Sequence, residues 1–76
     1  MPRDKFAVLS RRARKEREAL SSPSLEDLLE KLDDWSGSPN ADLLLVVEYQ
    51  DSGYVELARS ADAEELRLKM RYKAGV

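Results

Sequence analysis

Five cations crowd into seven consecutive positions near the start of the chain: Arg11, Arg12, Arg14, Lys15 and Arg17. Arginine presents parallel N–H donors that match phosphate or carboxylate, so this cluster has the composition of a phosphate-contacting element. Against a nucleic-acid reading stand the net charge of −2 and an acidic centre that would repel a duplex laid across it. A second group with chemical potential is Glu48 and Glu56, which a simple hairpin register would bring face to face. Two close carboxylates can share a proton or hold a cation. No nucleophile, base or glycine-rich loop accompanies them, and a solvated sheet face bridged by Lys or Arg explains them as well. Asp51-Ser52-Gly53 has the residues of a turn rather than of a reactive serine, because no histidine is present to activate it.

The chain of 76 residues contains neither Cys nor His. That removes the commonest metal ligands, the cysteine nucleophiles and the one side chain that titrates near neutrality. The expectation is a protein that is not an enzyme and needs no cofactor or metal. Residues 1–20 carry net charge +4, residues 21–65 carry −10 and residues 66–76 carry +4, a basic, acidic, basic triblock. The acidic block could engage a basic surface on another macromolecule. Trp35, Tyr54 and Tyr72 are of the types enriched at interface hot spots. Asp33, Asp34, Trp35, Glu48, Tyr54 and Glu56 therefore form the candidate protein-binding set, and the five N-terminal cations the alternative nucleic-acid-binding set.

The elements that would position these groups are separated by Ser-Ser-Pro-Ser at 21–24 and Ser-Gly-Ser-Pro-Asn at 36–40. Residues 1–20 are rich in helix formers and place Phe6, Leu9, Ala13 and Leu20 on one stripe, which reads as a basic helix that docks weakly or projects. Leu25, Leu28, Leu29, Leu32 and Trp35 follow the i, i+3, i+4, i+7 pattern of an amphipathic helix over 24–36. Ser24 and Asp27 have the form of a capping box, and Gly37 suits a left-handed stop. Asp33 and Asp34 at the negative end of the helix dipole call for a basic group nearby. Residues 43–50 and 54–59 read as a β-hairpin over 43–59 with a three-residue loop, pairing Gln50 with Tyr54 and Glu48 with Glu56. Residues 62–74 support two readings. Leu66, Leu68, Met70 and Tyr72 alternate as in a third antiparallel strand at 66–73, but Asp62 and Glu65 as a cap, the charge order and Gly75 as a stop favour a helix.

The expected architecture is a single α+β domain of two N-terminal helices, a β-hairpin and a C-terminal helix. The Leu25–Trp35 stripe would pack on the Leu43, Leu45, Val47, Tyr49, Val55, Leu57 face. No apolar run is long enough to span a membrane, and the basic start leads into no signal-like segment, so the chain reads as cytoplasmic. The functional expectation is a small adaptor, regulator or inhibitor of bacterial or phage origin that binds another protein and can form a homodimer through an open strand edge. The alternatives are a nucleic-acid-binding regulator and a structural part of a phage or other assembly.

Overall fold

A computed structural model describes residues 4–37 and 40–73. Strand β1 (Phe6–Arg12) opens on the run Phe-Ala-Val-Leu-Ser, of which Ala7 to Ser10 are all buried. Consecutive residues of a strand point to opposite faces, so a run buried throughout must lie inside a sheet covered on both sides. β1 pairs antiparallel with β2 (Lys15–Ser22) on one edge and with β3 (Leu43–Gln50) on the other, and β3 pairs antiparallel with β4 (Gly53–Ser60). The sheet order is β2-β1-β3-β4. Helix α1 (Leu25–Asp34) joins β2 to β3, and α2 (Ala63–Lys73) follows β4, so the chain runs β, β, α, β, β, α.

The expected pair of N-terminal helices is thereby corrected. Residues 24–36 hold the only helix before β3 among the described residues, and residues 6–22 form a hairpin. The helix-forming arginines, lysines and glutamates of this segment do not decide its conformation, because burying Ala7 to Leu9 on both faces outweighs intrinsic propensities of a few tenths of a kcal/mol each. The strand alternative at 66–73 is also excluded, since α2 covers it. Gly75, expected as its stop, lies outside the described residues.

The helical layer covers one face only. Val8, Leu44 and Val46 pack with Leu28 and Leu32 of α1 and Ala63, Leu66 and Met70 of α2, with Leu25, Leu29 and Trp35 around them. The helix seam therefore closes over Leu44 and Val46, not over the expected Leu43, Leu45, Val47 and Tyr49. Those residues line the opposite face, where Ala7, Leu9, Leu45 and Val47 form a second buried cluster bordered by Leu43 and Tyr49.

Among the described residues no helix covers this second cluster, and side chains of the sheet's own edges reach over it. Three inter-strand steps of about 4.8 Å would hold β2 and β4 about 14 Å apart in a flat sheet. Yet the Tyr54 hydroxyl of β4 donates to Glu16 of β2, with oxygens 3.2 and 3.3 Å away, and the Tyr49 hydroxyl donates to Glu18 at 2.7 Å. These long side chains lean across the face and bridge its two edges. Each carries a bulge, one on either side of the Val8–Val46 pair: Ala19 is the extra residue opposite Val8 and Leu9, and Leu57 the extra residue opposite Val46 and Val47. Bulges bend a strand and sharpen its twist, so the pair defines a line along which the sheet folds.

The turns follow from local chemistry. At Arg12–Lys15 only two residues link β1 to β2, and Ala13 takes φ +55°. A side chain in this region costs about 1–2 kcal/mol. The turn is held by the Asp42 carboxylate, which accepts from the Ala13 N–H at 2.7 Å, while the Asp42 N–H donates to the Arg11 carbonyl at 2.8 Å. In the second hairpin Asp51 and Ser52 form a two-residue turn, and Gln50 pairs with Gly53 at φ +145°. The expected three-residue loop is thus one residue too long, and Tyr49 faces Tyr54, ring to ring at 6.3 Å in an edge arrangement. Past the Leu57 bulge the expected pairing returns, with Val46 opposite Ala58.

Ser24 caps α1 by accepting from the Asp27 N–H at 3.2 Å. The Asp27 carboxylate turns to the Ser22 hydroxyl at 2.6 Å and to Lys31 at 3.5 Å, and these hold its pKa below the ordinary aspartate value, the Ser22 bond foremost. At the other end Arg67 donates to the carbonyls of Leu32 and Trp35 at 3.3 and 2.7 Å, and Arg71 pairs with Asp33 at 2.8 Å. α2 thus supplies the cations that the acidic end of α1 required.

Two expectations test this description. Ala13→Gly should stabilise the protein by about 1 kcal/mol, because glycine adopts positive φ without the Cβ clash. In a domain of this size that raises the thermal unfolding midpoint by about 4–8 °C; a fall would mean that Ala13 is not held in the left-handed region. The second concerns acid. A depressed folded-state pKa means that the Asp27 contribution is fully present above the unfolded value of about 3.9 and is lost as pH falls through the lower folded value. Denaturant midpoints of the parent should therefore drop more steeply below about pH 4 than those of Asp27→Asn.

Candidate functional site

The five N-terminal cations sit at the tip of the β1–β2 hairpin and on the adjoining part of β2, rather than on a helix. Arg11 belongs to the bent face. It donates to Glu16 at 2.9 Å, and that bond, with a further contribution from Tyr54, raises its pKa. Arg12, Arg14, Lys15 and Arg17 are exposed and have no acceptor in the structure.

This sets them apart from every other described cation. Lys5 pairs with Glu48, Lys31 with Asp27, Arg59 with Glu56, Lys69 with Glu65 and Arg71 with Asp33. Arg67, Lys69 and Lys73 donate to backbone carbonyls of Leu32 and Trp35, of Arg59 and of Leu57. The two lysines cover the outer edge of β4 at its bulge. Exposed pairs of this kind contribute little to stability, but they show where the chain's positive charge is locally answered. At the hairpin tip it is not.

Strand alternation orders the tip. Ser10 lies directly opposite Arg17, and Arg12 opposite Lys15, so these four side chains share the helix-side face of the hairpin. With Asn40 from the α1–β3 connection and Glu16 they line an open cleft of about 610 Å³. Opposed like charges repel, and a sheet keeps such a pair at modest cost only where water or an anion screens it.

The acidic set is placed differently. Glu48 and Glu56 do not meet: Glu48 faces Val55 across the hairpin and reaches Lys5 at 3.7 Å, whereas Glu56 faces Val47 on the opposite face and binds Arg59 at 2.7 Å. The Arg59 pKa is raised by that partner. Asp33 is engaged by Arg71, Tyr54 by Glu16, and Trp35 is half-buried against the core as the C-cap of α1. Asp34 alone of these six is exposed and without a partner. The sequence did not single out Ser10 or Asn40 as site residues. Only the register of β1 on β2, which the helical reading hid, brings Ser10 beside three cations. Among the described residues no cluster of acidic side chains could hold a metal ion, and no helix is long and apolar enough to cross a membrane.

Compared with protein-family models, with curated proteins and with solved structures, the chain gives no match in any of the three.

Proposed function

We propose that this protein binds double-stranded nucleic acid through the basic tip of the β1–β2 hairpin, gripping phosphates rather than reading bases. One observation carries the reading: the four described cations without an acceptor, Arg12, Arg14, Lys15 and Arg17, all stand on one short ribbon. A two-stranded ribbon fits the major groove, about 12 Å wide, and arginine suits phosphate geometrically. Single strands are instead held by stacking on aromatic rings. The exposed tyrosines, Tyr54 and Tyr72, are not among the residues lining the hairpin cleft, which favours a duplex. The overall charge of −2 does not oppose local binding, because the two acids of the hairpin are engaged, Glu16 by Arg11 and Tyr54 and Glu18 by Tyr49, and leave its four cations unanswered.

Fluorescence anisotropy with a short mixed-sequence duplex tests this. Four phosphate contacts give a log–log salt slope of about −3.6, hence roughly a hundredfold loss of affinity between about 50 and 200 mM salt. Arg12→Ala and Arg14→Ala should each reduce the slope by about 1, uniformly across sequences. Binding that ignores salt, or no binding at low salt, overturns the proposal.

A second reading is a small adaptor, regulator or inhibitor that docks on another protein. It is favoured by Leu68 and Tyr72, 63% and 89% exposed, one turn apart on the outer side of α2, with unpartnered Asp34 on the neighbouring helix.

A further inference from the structure

Ser10 is out of place in its row. Phe6 and Val8 precede it on the same face of β1 and join the helix-covered core, and Ser10 is 6% exposed, yet its side chain is a hydroxyl with no hydrogen-bond partner. No fully buried side-chain polar atom in the described structure lacks a partner, so the Ser10 oxygen is not sealed in, and Ser10 borders an open cleft. That space is the cleft of about 610 Å³ shared with Arg12, Lys15, Arg17 and Asn40. Its floor thus holds an unused hydroxyl, and its walls three unanswered cations and an exposed amide. The remaining lining residue, Glu16, already accepts from Arg11 at 2.9 Å and from Tyr54 at 3.2 Å.

We propose that this cleft seats one phosphate group. The Ser10 hydroxyl and Asn40 amide donate to its oxygens and Arg17, directly opposite Ser10, balances its charge, while Arg12 and Lys15 reach the phosphates on either side along a backbone. A hydroxyl and an amide add short directional bonds that a cation row lacks, so the seat fixes where along a backbone the hairpin rests. The inference rests on the polyanion reading of the hairpin and sharpens it. The phosphate can come from a duplex backbone or from a free phosphorylated molecule, and the two sources are separable.

The experiment uses the full chain, with amide NMR spectra recorded during titration with inorganic phosphate and, separately, with a short duplex without terminal phosphates. Both should shift the backbone amides of Ser10 and Arg17 and the side-chain amide of Asn40. Ser10→Ala, which removes a single oxygen, should weaken duplex binding about tenfold, the worth of a hydrogen bond to a charged group, and leave the salt slope unchanged. Asn40→Ala, at an exposed position, should weaken it in the same way without affecting folding. Arg17→Ala should instead lower the slope by about 1. If the duplex binds with steep salt dependence but Ser10→Ala and Asn40→Ala bind like the parent, the seat is refuted and the hairpin reading stands. If phosphate shifts these amides and the duplex does not bind, the seat holds for a free phosphorylated ligand and the duplex reading falls. If neither ligand binds, both are wrong.

Discussion

Two central strands that are apolar on both faces impose the condition on which the rest of this structure depends. β1 and β3 each bury four consecutive residues, Ala7 to Ser10 and Leu44 to Val47. A small domain cannot leave such a pair half covered, because each buried aliphatic side chain contributes about 1.5–3 kcal/mol that exposure would forfeit. Two helices of 10 and 11 residues are enough for one face and leave nothing for the other. The sheet answers by bending. The bulges at Ala19 and Leu57 draw β2 and β4 inward, and Tyr49 and Tyr54 reach across to Glu18 and Glu16 over the cluster of Ala7, Leu9, Leu45 and Val47.

That solution governs the charges. On the bent face Arg11 is recruited to Glu16 and Arg59 to Glu56. On the helical layer α2 spends Arg67 and Arg71 on the acidic end of α1, and its lysines on the edge of β4. Each engagement follows from a packing need: a bent sheet, a helix C-terminus or an exposed strand edge. The cations on the helix-side face of the hairpin, Arg12, Lys15 and Arg17, serve no such need. Their lack of partners is not for want of acids, since Glu26, Glu30 and Asp34 of α1 are also without a partner.

The sequence foretold the parts whose signals are local. The Leu28 and Leu32 seam, the Ser24 cap, the turn near Asp51 and the demand for a cation beside Asp33 can each be read within a few residues. The first hairpin cannot. A strand buried on both faces has no period of two, so Phe6 to Ser10 offers no alternation, and the surrounding Arg, Lys, Glu and Ala speak for a helix. Its turn, Arg12 to Lys15, contains no Gly, Asn or Pro; the group that holds Ala13 at positive φ is Asp42, 29 residues away. The same non-locality hid the candidate site, since Ser10 and Arg17 are neighbours only through the ladder. In the second hairpin the error was one residue of loop. One residue turns Tyr54 to Glu56 over to the other face, and the choice of face on β3 is not local either, since its run of apolar residues is buried on both sides.

The hook at Asp42 bears on function as well as on folding. Asp42 directly precedes β3, so its paired bonds to Ala13 and Arg11 tie the tip of the first hairpin to the start of the strand beside it. A free two-stranded ribbon is marginally stable and would have to be ordered on meeting a ligand. Here the ordering is completed by folding, with the cost of the Ala13 conformation met by the core. A rigid display loses less freedom on association than a flexible basic tail with the same charges. On the proposed reading, this is what a folded scaffold adds to four cations that a disordered segment could carry: a fixed spacing of charges around one hydroxyl.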